Sequence, residues 1–104
     1  MKVQVDHDDH VRSSATRRAE IEAMVTSSLD RFGASVTLVQ VHLTDENGPR
    51  FGAEDKRCLM EARVRRHDPV VVSHRANSVQ QAISGATSKL ERSLTQVLER
   101  QRQR

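Results

Sequence analysis

The chain has 104 residues, a length that fits one domain, and 24 of them are Leu, Ile, Val or Phe, enough for a small hydrophobic core. No apolar run exceeds three residues, so we expect no membrane span, and the N-terminus lacks the apolar stretch of a secretion signal. The single cysteine, Cys58, cannot form an internal disulfide, so we expect a reducing, cytoplasmic compartment.

The net charge of +3 is unevenly distributed along the chain. Residues 1–55 carry 6 basic and 10 acidic side chains, net −4, whereas residues 56–104 carry 11 basic and 4 acidic ones, net +7. A basic second half predicts a surface that binds polyanions. Arg outnumbers Lys by 14 to 3, and its planar fork suits phosphate oxygens, although a high-GC genome also enriches arginine.

The first half predicts a strand, a helix and a second strand. Residues 2–6 alternate in polarity, as a short strand does. Ser13 or Ser14 then caps a helix of about 17 residues that ends at Gly33. Its apolar positions are Ile21, Met24, Val25, Ser28, Leu29 and Phe32. Residues 36–44 predict a second strand, and residues 45–55 a turn or mobile loop. The apolar side of the second strand is predicted to be Thr37, Val39, Val41 and Leu43.

The stretch DKRCLMEARVRRHD, residues 55–68, predicts a third strand with two unlike faces. Cys58, Met60, Ala62 and Val64 fall on the apolar side, and Arg57, Glu61, Arg63 and Arg65 on the other. Residues 67–69 form a tight connection to a fourth strand at residues 70–76.

The last element is a helix capped by Asn77 or Ser78, with Gln80 or Gln81 at the capping-box position. Gly85 lies inside it, and we expect this glycine to let helix and sheet approach closely. The apolar stripe consists of Val79, Ala82, Ile83, Ala86, Leu90, Leu94, Val97 and Leu98. We expect residues 99–104 to form a flexible basic tail.

These elements predict an α+β fold of order β-α-β-β-β-α, as a single domain over residues 1–104. The first two strands are joined through a helix and should be parallel, and the last three form an antiparallel meander. Two helices with one apolar stripe each can cover one face of a four-stranded sheet and leave the other in water.

A basic stripe runs along the last helix. Its members recur at intervals of three and four residues: Lys89, Arg92, Gln96, Arg100 and Gln103. A solvated helix face would explain any one of these residues. Taken with Lys56, Arg57, Arg63, Arg65, Arg66 and Arg75, the set favours a phosphate-binding surface. There is no Trp or Tyr and only two Phe, so RNA would be bound through its backbone and shape.

Catalytic and metal chemistry find little support in the sequence. DHDDH, residues 6–10, could ligate a metal through His7 and His10, but it lacks partner ligands elsewhere, so a solvated connection is favoured. Cys58 is predicted to be an inert core thiol. No phosphate loop or catalytic triad is present, so we predict no enzyme, no cofactor and no small-molecule substrate.

Three stretches resemble one known family: VHLTDENG at residues 41–48, DKRCLMEARV at 55–64, and VVVSHRANSVQQAISGATSKLERSLTQVL at 70–98. Together they are similar to the short ribosome hibernation-promoting factors, the protein Y or sigma-54 modulation family. The resemblance implies a fold like that of double-stranded-RNA-binding domains. It also implies binding to the small ribosomal subunit in the mRNA and tRNA channel, which would block translation and preserve idle ribosomes during stress or stationary phase.

The resemblance implies RNA contacts for Arg75, and for Lys89 and Arg92 in KLER, and the residue pattern adds Arg63, Arg65 and Arg100. The expected partners are the small subunit and its rRNA, with no membrane, and we expect a monomer. Two alternatives stay open at this point. One is a regulatory protein-interaction module of the same fold without RNA binding, and the other is a metal- or redox-responsive protein using His7, His10 or Cys58.

Overall fold

The computed structural model describes residues 1–7, 15–45 and 56–103, with the side chains of residues 7, 15–17 and 45 excepted. Predictions for the Ser13 or Ser14 cap, for the loop at residues 46–55 and for most of the DHDDH cluster lie outside this described part. The elements are β1 (Lys2–His7), α1 (Ala15–Leu29), a 3-10 turn (Asp30–Phe32), β2 (Val36–Asp45), β3 (Lys56–Val64), β4 (Val70–Ala76) and α2 (Val79–Arg102).

The four strands form one sheet in the order β1-β2-β3-β4. β1 pairs in parallel with β2, while β3 pairs antiparallel with both β2 and β4. α1 packs against β1, and α2 packs against β3 and β4. The predicted α+β fold with its β-α-β-β-β-α order is therefore confirmed.

The two faces of β3 differ as the alternation predicts. Cys58, Met60 and Ala62 are fully buried beneath the helices, and Val64 is 6% exposed. Arg57 and Arg63 extend from the opposite face, which no element of the described structure covers. A sheet with one face packed and one solvated produces this alternation directly.

The apolar side of β2 differs from the prediction at one position. Thr37 is exposed, whereas Val36 is fully buried together with Val39 and Val41. The pairing of β2 with β3 shifts register between Val36 and Leu38, so a bulge reverses the alternation at the start of the strand. The sequence prediction that Thr37 faces the core was therefore wrong.

The apolar stripe of α1 is narrower than the spacing suggested. Ile21, Val25 and Leu29 are buried, as is Phe32 in the 3-10 turn, whereas Met24 is 37% exposed and Ser28 lies in solvent. Gly33 caps the turn, as predicted, with a right-handed φ of −59°, and a Cβ at this position would lie 3.2 Å from the backbone oxygen of Asp30.

α2 begins as predicted and continues further. The hydroxyl oxygen of Ser78 accepts a hydrogen bond from the backbone N–H of Gln81 at 3.1 Å, which identifies Ser78 as the N-cap. A Cβ at position 85 would overlap the His74 ring on β4, which confirms that Gly85 permits close approach of helix and sheet.

The helix runs to Arg102, so residues 99–102 are helical although they were expected in a flexible tail. The side-chain amide nitrogen of Gln101 donates to the backbone oxygen of Arg65 at 3.3 Å and connects the last turn of α2 to the turn that follows β3. Val97 and Leu98 pack against the core one turn earlier, so the apolar stripe supports the helix almost to its end.

Candidate nucleic-acid interface

The predicted RNA-binding residues lie in three separate parts of the molecule. Lys89 and Arg92 lie on α2 beside β4, Arg63 and Arg75 lie on the open face of the sheet, and Arg65 lies in the β3–β4 turn. Arg100 lies on the last turn of α2. The hydrogen bond from the Gln101 side chain to the Arg65 oxygen brings Arg65 and the end of α2 that carries Arg100 together. Arg75 lies at the opposite end of the sheet, beside Arg57.

A shallow groove separates α2 from the free edge of β4. It is lined by Val72, Ser73, Lys89, Arg92, Ser93 and Gln96. The four helix residues follow the i, i+3, i+4, i+7 spacing of one helix face, as the basic stripe predicted. We call this groove the edge groove.

Lys89 makes a hydrogen bond within the fold that its place in a polar stripe did not predict. Its side chain is half-buried, and its Nζ donates a hydrogen bond to the backbone oxygen of Ser73 at 2.9 Å. β4 is an edge strand, and a lysine that occupies an edge carbonyl protects that edge from pairing with other chains. An ammonium has three donors, so one bond leaves two N–H groups for an anion.

Arg92 is the exposed cation of the edge groove. It takes part in no ion pair among the described residues. Its side chain stands on the outer ridge of α2, because it also borders a second groove on the other side of the helix. A guanidinium in this position can bind one phosphate with two parallel hydrogen bonds.

The second groove brings α2 close to the 3-10 turn, and it contains an arginine that the sequence analysis missed. Arg31 donates to the Thr95 hydroxyl at 3.5 Å and lies 3.9 Å from the Glu91 carboxylate. Its guanidinium also lies 4.6 Å from the centre of the Phe32 ring. Sixty residues separate Arg31 from Glu91, so no local sequence signal could have indicated this contact.

The open face of the sheet carries two arginines side by side and one at a distance. Arg57 and Arg75 are direct cross-strand neighbours, whereas Arg63 pairs with Leu38 of β2. Six residues of extended strand, about 20 Å, separate Arg57 from Arg63. The open face therefore does not gather its arginines into a single cluster.

Other candidate chemistry is weak in the part of the chain that the structure describes. Burial raises the pKa of the Cys58 thiol from 9.0 to about 12, the opposite of what a nucleophile needs. No group of three His, Cys, Asp or Glu side chains there could hold a metal ion. Asp6, from the proposed metal cluster, instead lies 3.7 Å from the His42 ring.

The described surface offers little for base stacking or for insertion into a membrane. Phe32 is buried, so residues 1–7, 15–45 and 56–103 offer no exposed Phe, Tyr or Trp ring on which a base could stack. Neither described helix is long and apolar enough to cross a membrane.

Comparison with known proteins gives the class to which this fold belongs. The family model described as sigma 54 modulation protein / S30EA ribosomal protein matches residues 3–102. The chain therefore belongs to this family of ribosome-associated factors, as its motifs suggested. No curated protein sequence matches the chain.

Solved structures share the fold at low sequence identity. The protein Y N-terminal domain of Thermus thermophilus superposes with a TM-score of 0.68 at 17% identity, over 92% of this chain and 94% of that one. A ribosomal subunit interface protein from Coxiella burnetii gives a TM-score of 0.70 at 13% identity, over 95% and 99% of the two chains.

Proposed function

We propose that this protein binds the small ribosomal subunit through its rRNA, in the channel used by mRNA and tRNA, and so inhibits translation and preserves idle ribosomes. Membership of the sigma 54 modulation / S30EA family over residues 3–102 carries the proposal. Likeness to a domain of protein Y and to a ribosomal subunit interface protein supports it. This role requires binding and no catalysis. It would place the protein in the cytoplasm, and we expect the protein to act there as a monomer.

The edge groove is the proposed primary contact. Lys89 and Arg92 present two cations on one helix face, and the hydroxyl of Ser93 on the same face adds a neutral donor beside them. Phosphate oxygens accept from such groups without regard to base sequence. With no exposed Phe, Tyr or Trp ring among the described side chains, recognition through backbone and shape is the mode that this surface supports.

Arg63, Arg65, Arg75 and Arg100 are proposed as secondary contacts. They extend the positive surface from the groove toward both ends of the sheet. Exposed cations attract polyanions over about 8 Å at physiological salt, so they raise affinity even where they do not bond directly.

Co-sedimentation with purified small ribosomal subunits tests the proposal through Arg92. Arg92→Glu reverses a charge that no ion pair in the described structure uses, so folding should be unaffected and binding should fall at least tenfold at low salt. The matched control is the double variant Gln80→Glu, Ser84→Glu, which changes the net charge by the same two units at exposed positions nearer the start of α2.

Equal loss in Arg92→Glu and in the control would indicate a net-charge effect and would remove the groove assignment. No binding by the wild-type protein would remove the rRNA proposal, and a protein-interaction role for the same fold would take its place.

A further inference from the structure

The β3–β4 turn and the last turn of α2 are joined at one end of the molecule. The backbone N–H of Arg65 donates to the Ser35 oxygen at 2.9 Å, and the Arg65 oxygen accepts from the Gln101 side chain at 3.3 Å. Both polar groups of one backbone unit are therefore bonded. This turn is held in place on one side by Ser35, the residue before β2, and on the other by α2.

Positive charge is concentrated at this end. We call the following five residues the turn-end cluster: Arg63, Arg65, Arg66, Arg100 and Arg102. All five are exposed, and none takes part in an ion pair within the described residues. The carboxylates within residues 63–68 and 99–102, the two stretches that carry these arginines, are Asp68 and Glu99. The local excess of cations therefore equals the net charge of the whole chain, which is +3.

Arg66 adopts a backbone conformation that disfavours arginine. The backbone N–H of His67 donates to the Val64 oxygen at 3.3 Å, so Arg66 is the third residue of a four-residue turn. Its φ is +62°, the only positive value at a non-glycine residue in the described structure. Gly or Asn is preferred at such a position, because a Cβ is crowded there.

The helix dipole explains part of this arrangement but not all of it. Cations near a helix C-terminus are favourable, which accounts for Arg100 and Arg102. It does not account for Arg66, because a glycine would make the turn with less strain and leave the dipole unaffected. Strain of this kind is commonly retained where the side chain has a function.

We propose that the turn-end cluster is a second RNA-backbone contact, separate from the edge groove, in which the strained Arg66 presents its guanidinium to a phosphate. This inference rests on the proposed function and deepens it: Arg63, Arg65 and Arg100 are already secondary contacts there, and Arg66 and Arg102 join them in one defined site. Arg92 and Arg100 are separated by eight helical residues, about 12 Å, so the two sites would contact different phosphates of the same RNA. The turn is fixed before binding, so little order has to be gained when the phosphate arrives.

Substitutions at Arg66 test whether its side chain contributes to RNA binding or is only tolerated in the turn. Arg66→Gly and Arg66→Asn suit the positive φ, so their melting temperature should be no lower than that of the wild type. Both should bind small ribosomal subunits about fivefold more weakly at low salt. Both should also lower the slope of log affinity against log salt by about 0.7 to 0.9, the loss of one phosphate contact. Arg66→Lys is the matched control, because it keeps charge and strain and should retain most of the affinity.

Each outcome either supports or overturns RNA binding by the turn-end cluster. Weaker binding by the Gly and Asn variants, with retention by Lys, supports it. Unchanged binding by all three variants, while Arg92→Glu binds weakly, overturns the turn-end site and leaves the proposed function standing. Failure of the wild-type protein to bind overturns both. A photo-cross-linking amino acid placed at the exposed position 67 identifies the neighbour of the turn, and a cross-link to a ribosomal protein instead of rRNA would overturn the choice of RNA as the ligand.

Discussion

The ring of His74 lies against the backbone of Gly85, in the space that any Cβ at position 85 would occupy. His74 is on β4 and Gly85 is two turns into α2, so this contact fixes how closely the helix approaches the edge of the sheet. The edge groove lies one turn further along the same helix. The geometry of the proposed RNA contact therefore depends on this packing.

Gly85→Ala should destabilise the protein, although alanine is the better helix former. The overlap with the His74 ring costs about 1–3 kcal/mol, which exceeds the gain of about 1 kcal/mol in helix propensity. Urea unfolding of the four members of a double-mutant cycle with His74→Ala measures the effect. Gly85→Ala should stabilise the His74→Ala background, and an equal cost in both backgrounds would show that the ring does not set the spacing.

Lys89 and Arg92 should differ in their effect on stability. Lys89→Met keeps the apolar stem but loses the hydrogen bond to the Ser73 oxygen, at a cost of about 0.5–1.5 kcal/mol. Arg92→Gln should change the free energy of unfolding by less than about 0.5 kcal/mol. Chemical denaturation of the two variants tests this contrast. Equal stability of both would mean that the Lys89 bond contributes nothing to the fold in solution.

Glu91→Gln should strengthen ribosome binding. Glu91 is half-buried in the second groove, next to Arg92, and its carboxylate would repel a phosphate approaching that arginine. Its pair with Arg31 is long and exposed, so its loss should cost at most about 1 kcal/mol of stability. Binding titrations with small subunits at low salt should show tighter association, and an unchanged or weaker affinity would place the RNA away from this side of α2.

Cys58 should make the protein sensitive to high pH. Burial raises the pKa of its thiol to about 12 in the folded state, against 9.0 unperturbed, so folding favours the neutral form. The contribution of this protonated thiol to the free energy of unfolding is fully present below pH 9 and is lost as the pH rises toward 12. The loss amounts to about 1.4 kcal/mol at pH 10. Comparing urea unfolding at pH 7 and pH 10 with the Cys58→Ala variant isolates this effect, since the variant lacks the titrating group. An identical pH dependence in both proteins would contradict it.

Much of the fold could be predicted because its signals are local. The alternation of β3, the Ser78 cap and the helical stripe of α2 each involve residues a few positions apart. The errors arose where distant segments meet. The bulge that exposes Thr37 is a property of the pairing between β2 and β3, and the burial of Met24 was assumed from spacing alone.

The candidate site was less predictable for the same reason. Spacing placed Lys89, Arg92 and Gln96 on one helix face, which the edge groove confirms. It gave no sign that Lys89 would bond to the carbonyl of an edge strand or that Arg31 would reach Glu91. Nothing in the sequence indicated the hydrogen bond between Gln101 and Arg65, so the end of α2 was expected to be a flexible tail.

Sedimentation of the purified wild-type protein with separated small and large ribosomal subunits, over a series of salt concentrations, tests the central claim most directly. Phosphate contacts predict binding to the small subunit at low salt and a linear fall of log affinity with log salt, by about 0.7 to 0.9 for each phosphate neutralised. Absence of small-subunit binding at low salt, or binding that is unaffected by salt, would contradict an rRNA interface built on these arginines.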